Sequence, residues 1–145
     1  MDIPRATHSG KWTIDSEHNI SVECYVMDNE ERVLSLRGSS RAMGLAGGGG
    51  GALARNLNAQ WINPYLSNGL KDWLGKESRH ELPDYIATNG RRFTPIEASL
   101  FIDICKAYVD AHHEGILSGT QVVVAKRMYA IMTAFAKLGL VAIID

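Results

Sequence analysis

The chain has 145 residues, 46% of them hydrophobic, and a formal charge of −1. That length fits one domain spanning 1–145 that buries about 70% of its extended-chain surface, and the composition excludes wholesale disorder. The near-neutral total excludes a body that is basic all over, and no apolar run approaches the ~18 residues of a membrane span.

The opening MDIPRATHSGKW has no apolar core and so is not a secretory leader. Strands are expected over 10–15 and 20–27, separated by the turn Ser16-Glu17-His18-Asn19. In the second, Ile20, Val22, Cys24 and Val26 alternate with Ser21, Glu23 and Tyr25, the period of a half-buried strand. Asp28-Asn29-Glu30 turns the chain back into a strand over 32–36, completing a small antiparallel meander. Ser39 or Ser40 can cap a short helix that runs through Met43 and ends at Gly44. The glycine-rich stretch 46–51 reads as a mobile loop. As a phosphate cradle it would need a lysine and a hydroxyl at fixed spacing, and Ala52-Leu53-Ala54 supplies neither.

Over 53–75, Trp61, Ile62, Tyr65, Leu66, Leu70, Trp73 and Leu74 recur at helical spacing, interrupted by Pro64 and Gly69. A charged loop follows over 75–83. Asn89-Gly90 between 85–88 and 91–93 predicts a hairpin. A helix is expected over 95–114, capped by Thr94 with Pro95 in its first turn. Ser99, Asp103, Lys106, Asp110 and His113 form its polar stripe, opposite Leu100, Phe101, Ile104, Cys105, Tyr108 and Ala111. The next helix, 119–138, is apolar nearly all round, which predicts a place in the middle of the core for Met128 and Phe135. Gly139 is expected to stop it, with a buried strand over 140–144. The class is therefore α+β: a small antiparallel sheet and a hairpin packed on two long carboxy-terminal helices.

No catalytic centre, cofactor fingerprint or metal cage stands out. His112 and His113 point about 100° apart on a helix and cannot share one metal from one face. His8, His18 and His80 lack a Cys or His at ligand spacing. Cys24 and Cys105 sit in apolar patterns and read as buried thiols of a reducing cytosol. Asp103 and Asp110, two turns apart, have no facing pair for acid–base work. The charge distribution is more informative. From Arg32 to Lys71 there is no acid, and Arg37, Arg41 and Arg55 lie in that stretch; Arg91 and Arg92 follow the hairpin turn, as on a DNA-binding wing. Folded onto one face, these five would make a local basic patch on a neutral protein. Folded apart, they are ordinary solvated arginines.

The string Ile104-Cys105-Lys106-Ala107-Tyr108, then Ala111, Gly115, Leu117 and Gln121, and the run from Ala134 to Leu140, form one pattern. Ala6-Thr7-His8-Ser9-Gly10, Glu23-Cys24 and Arg32-Val33-Leu34-Ser35 extend it to the opening. This pattern resembles phage and prophage proteins that carry the "phage sixty-three C-terminal domain", a group of antirepressor-like regulators. Family members continue past an acidic residue like Asp145, so the resemblance implies the amino-terminal module of a longer architecture. It implies a non-enzymatic regulatory module in the bacterial cytoplasm, without cofactor or membrane partner. DNA, a host protein or both would be its partners, and a second copy of the chain is a further one. The alternative is a pure protein-interaction module that inhibits a host factor and has no affinity for nucleic acid.

Overall fold

The structure, a computed structural model, describes residues 3–45 and 50–144. Strands β1 (Ala6–Asp15), β2 (Ile20–Met27) and β3 (Arg32–Ser35) form the expected meander. A fourth strand, β6 (Pro95–Glu97), joins the far edge, giving the antiparallel order β1-β2-β3-β6. Pro95 was expected inside a helix. It opens an edge strand instead, where its missing N–H removes no bond from the sheet interior. The helix that follows, α4 (Ala98–His113), starts three residues later and has Glu97 as its N-cap residue, with no side-chain capping bond. Thr94 serves the sheet: its carbonyl accepts from the Leu36 N–H at 2.8 Å.

Helix α1 (Leu36–Met43) also starts earlier than the serines at 39 and 40 suggest. Ser35 caps it, its Oγ accepting from the Gly38 N–H at 2.9 Å, and Gly44 ends it at φ 78°. Ser39 and Ser40 are buried within the helix. Helix α2 (Gly50–Leu57) includes Gly50 and Gly51, so the helix begins inside the glycine run; 46–49 lie outside the described residues. A short 3-10 turn, Asn63–Tyr65, carries Pro64 at its start. Helix α3 (Asn68–Ser78) is capped by Ser67, whose Oγ accepts from Leu70 N–H at 3.2 Å and donates to Asp103 at 3.0 Å.

The sheet packs on both faces, although 7–11 of β1 stay exposed. Val22, Leu34 and Ile96 face the helices and join Phe101, Ile104, Tyr108, Met128 and Ile131 in the main core. Tyr25, Met27 and Val33, one residue out of phase, face the other way. There the hairpin of β4 (Tyr85–Ile86) and β5 (Arg92–Phe93) covers them, with Phe93 stacked on Tyr25 at 4.3 Å between ring centres. Its turn is not the two-residue Asn-Gly type. The Gly90 N–H donates to the Ala87 carbonyl at 2.9 Å and the left-handed φ falls on Gly90 (83°) without Asn89, the pattern of a three-residue loop with a glycine bulge.

The two long helices exchange the places expected of them. Helix α4 lies between α3, α5 and strands β3 and β6, and it buries Phe101, Ile104, Cys105, Ala107, Tyr108, Val109 and Ala111. Its polar stripe holds, with Ser99, Lys106 and His113 exposed and Asp103 and Asp110 half-buried. Helix α5 (Thr120–Ile144) packs on α4, α1 and β1 with one face and leaves the other in water, where Val123 is 67% and Tyr129 59% exposed. An apolar circumference does not create neighbours; α4 already occupies the centre. Gly139 does not stop α5 either, and 140–144 continue as helix rather than strand. A glycine inside a helix costs about 1 kcal/mol relative to alanine, which a long helix of good formers absorbs. No helix among the described residues is long and apolar enough to cross a membrane.

Candidate nucleic-acid interface

Arg37 is the second residue of α1. Leu36, Ser39, Ser40 and Met43 take the inward positions of that helix, so Arg37 and, one turn later, Arg41 occupy its exposed face. Arg91 and Arg92 follow the hairpin bulge and are both exposed. The hairpin lies on the sheet face next to the start of α1, because Thr94 is bonded to Leu36. As a result Arg37, Arg91 and Arg92 line one cleft of about 550 Å³, with Asn89 and Thr94 on its wall. Residues 54 positions apart in sequence thus meet.

The floor of the cleft is firm. Tyr25 and Phe93 stack beneath it, and the Tyr25 hydroxyl donates to Glu23 at 2.8 Å. Burial, with Glu23 as the second cause, pushes that phenol up to about 12, so it stays protonated at neutral pH. Two carboxylates share the cleft with three arginines: Glu23, engaged by Tyr25, and Asp84, which accepts from Thr94 Oγ1 at 3.4 Å. None of the three arginines makes an ion pair among the described residues. The guanidinium groups are therefore available to an anion from outside, and their flat fork suits phosphate oxygens.

Arg55 does not belong to this site. It lines a separate pocket on α2 with Trp61, Tyr108 and Thr120. Arg41 is on the helix face of Arg37 but does not line the cleft, so it extends the rim. Asn89, Asp84 and Glu23 were not foreseen as members. Asn89 was legible as a turn residue; its Oδ1 accepts from the Arg91 N–H at 3.0 Å, which fixes the direction of the chain at the arginines. Nothing in the local sequence placed Glu23 in one cleft with Arg91.

Other chemistry-bearing residues are spoken for by the fold. Asp15, Glu17 and His18 bring their ligand atoms within 4.8 Å of one another. Asp15 uses its carboxylate to close the β1–β2 turn, accepting from His18 Nδ1 at 2.7 Å and from the Glu17 and His18 backbones. The His18 side-chain bond is the main reason its pKa lies below the usual carboxylate range. Cys105 is fully buried on α4, and burial pushes its thiol up to about 12, far from a reactive thiolate.

Comparison of the chain with protein-family models, curated proteins and solved structures gives no match. The geometry of the cleft and the sequence pattern stand alone as guides to function.

Proposed function

We propose that this chain is a non-catalytic regulatory module that binds the phosphate backbone of DNA through the cleft of Arg37, Arg91 and Arg92. The observation that carries this is their convergence beside the hairpin turn without an intramolecular ion pair among the described residues. Arg41 continues the positive rim along α1. A local patch suffices, since the overall charge of −1 does not prevent contact at one face. The resemblance to phage and prophage regulators supports a role in controlling genes inside a bacterial host cell.

A second reading, a module that binds a host protein without nucleic acid, is favoured by Glu23 and Asp84 in the same cleft, which would repel a dense phosphate array. Fluorescence anisotropy with labelled duplex DNA at low salt separates the two. Contact by three arginines predicts a log–log salt slope of about −2.7. Arg91→Glu with Arg92→Glu should abolish binding and leave the thermal melt nearly unchanged, because exposed charges contribute little to stability. Arg55→Glu should change nothing. Absence of binding at tens of micromolar protein and low salt, where binding is tighter than the roughly 1–100 μM of non-specific contacts at physiological salt, removes the DNA reading and leaves the protein partner.

A further inference from the structure

The opposite face of the sheet carries a second concavity, about 600 Å³, between the outer halves of β1–β3 and helix α5. Its floor is ordered in cross-strand rows. His8, Val26 and Arg32 stand opposite one another in the outermost row, then Gly10, Cys24 and Leu34, then Trp12 beside Val22. Alternation puts His8, Gly10 and Trp12 of β1 on this one face, together with Arg32 and Leu34 of β3. Phe135 of α5 closes the inner end, its ring edge-on to Trp12 at 4.6 Å.

Gly10 makes the space. A Cβ built there would meet nothing within 4 Å, and its backbone is not left-handed, so no turn or close packing calls for glycine. A glycine in a strand interior weakens the strand and often marks a close approach by a ligand. The volume falls within the ~300–1,000 Å³ of small-molecule sites.

The charge is one-sided. No acid lines the groove among the described residues, and its outer row offers Arg32, which makes no ion pair among them. Glu31, its neighbour, is turned to the other face, where it accepts from the Tyr85 hydroxyl at 2.9 Å. From this arrangement we propose that the groove is a binding site for a slender apolar molecule ending in a carboxylate, such as a medium-chain acyl acid. The tail lies over Gly10 and Leu34 toward Trp12 and Phe135, and the carboxylate meets Arg32. The site is independent of the arginine cleft, which opens on the other face of the sheet.

Titration calorimetry of the full chain with dodecanoate, kept below its micelle concentration, tests this. The expected result is saturable one-to-one binding, with dodecanol weaker by about tenfold or more, the loss of one charge-assisted contact. Arg32→Gln should erase the difference between acid and alcohol. Gly10→Leu fills the groove and should weaken both, while Gly10→Ala, a smaller change the strand accepts, should weaken them less. Nuclear Overhauser contacts from the chain methylenes to the Trp12 and Phe135 rings give a readout on the unaltered protein. Equal affinity for acid and alcohol, undiminished binding by Gly10→Leu, contacts confined to the outer face of α5, or a chain dimer that seals the groove would each overturn the proposal.

Discussion

Arg127 of α5 donates through Nε to the Ala42 carbonyl, 2.6 Å away near the end of α1. The last carbonyls of a helix have no partner within it, so this bond supplies one from another element. The same side chain runs close past Gly44, where a Cβ would lie 3.0 Å from Arg127 Cδ. Gly44 is thus required twice, for its left-handed φ and for the room it leaves. The contact fixes α1 against α5 and so fixes where Arg37 stands. Arg127→Met keeps most of the stem and removes the donor, and should destabilise by about 1–2 kcal/mol. Gly44→Ala should cost at least as much, since the left-handed conformation alone costs roughly 1–2 kcal/mol outside glycine. Urea melts measure both. A change below about 0.5 kcal/mol for Arg127→Met would show the bond to be worth no more than one to water.

The two phenylalanines of the long helices should separate clearly. Phe101 on α4 is fully buried, whereas Phe135 on α5 is only half-buried and borders the open groove. Phe101→Ala should therefore cost about 3–5 kcal/mol, the range for a large core aromatic. Phe135→Ala should cost roughly half as much, because part of its ring is already in water. The rings touch edge-on at 5.8 Å, so the double variant should be less destabilised than the two single losses added. Equilibrium denaturation in which Phe135→Ala proves the more damaging would place α5, not α4, at the centre of the core.

Ser39 and Ser40 are buried in α1, and neither Oγ has a hydrogen-bond partner among the described residues. Their size suits a helix packed closely on β2 and α2, but their hydroxyls cost desolvation without return. Ser39→Ala and Ser40→Ala should each raise stability by up to about 1 kcal/mol, through loss of an unsatisfied group and a better helix former. A drop in melting temperature for either would mean that the hydroxyl is bonded in solution.

The meander and the hairpin were legible because strand alternation and an Asn-Gly turn are local signals. Ile20, Val22 and Tyr25 show the limit of that reading: alternation places them on two faces but does not tell that both are covered. The hairpin turns Tyr25 into a buried residue, although the pattern alone made it the solvent side. Pro95 was misplaced for the same reason. Its strand exists only because β3 offers an edge sixty residues earlier in the chain. Helix α5 looked central because composition reports how apolar a helix is and not which neighbours arrive. For the candidate site, the acid-free stretch and the pair after the turn pointed to arginines, three of which line the cleft. Which arginines meet was settled by the Leu36–Thr94 bond, a long-range contact with no sequence signature.

Alkaline pH offers a test of how the sheet and core hold their tyrosines. Tyr25, Tyr85 and Tyr108 are each pushed up to about 12, burial being the largest cause; Glu23 and Glu31 add to it for the first two. An unfolded phenol ionises near 10. The fold favours the neutral form, so this contribution to stability is complete below about pH 10 and is lost as pH rises toward 12. Tyrosinate absorbance at 295 nm should show part of the tyrosine signal appearing late and together with unfolding. Tyr85→Phe gives up the bond to Glu31 and should lose about 1 kcal/mol at pH 7. Its stability should then fall less steeply than the parent's between pH 10 and 12. Cys105, raised to about 12 by the same burial, should resist thiol reagents until that transition. If all five tyrosines instead ionised together near pH 10 in a protein that stays folded, the hairpin would not be closing over Tyr25 and Tyr85, and the floor of the arginine cleft would have to be redrawn.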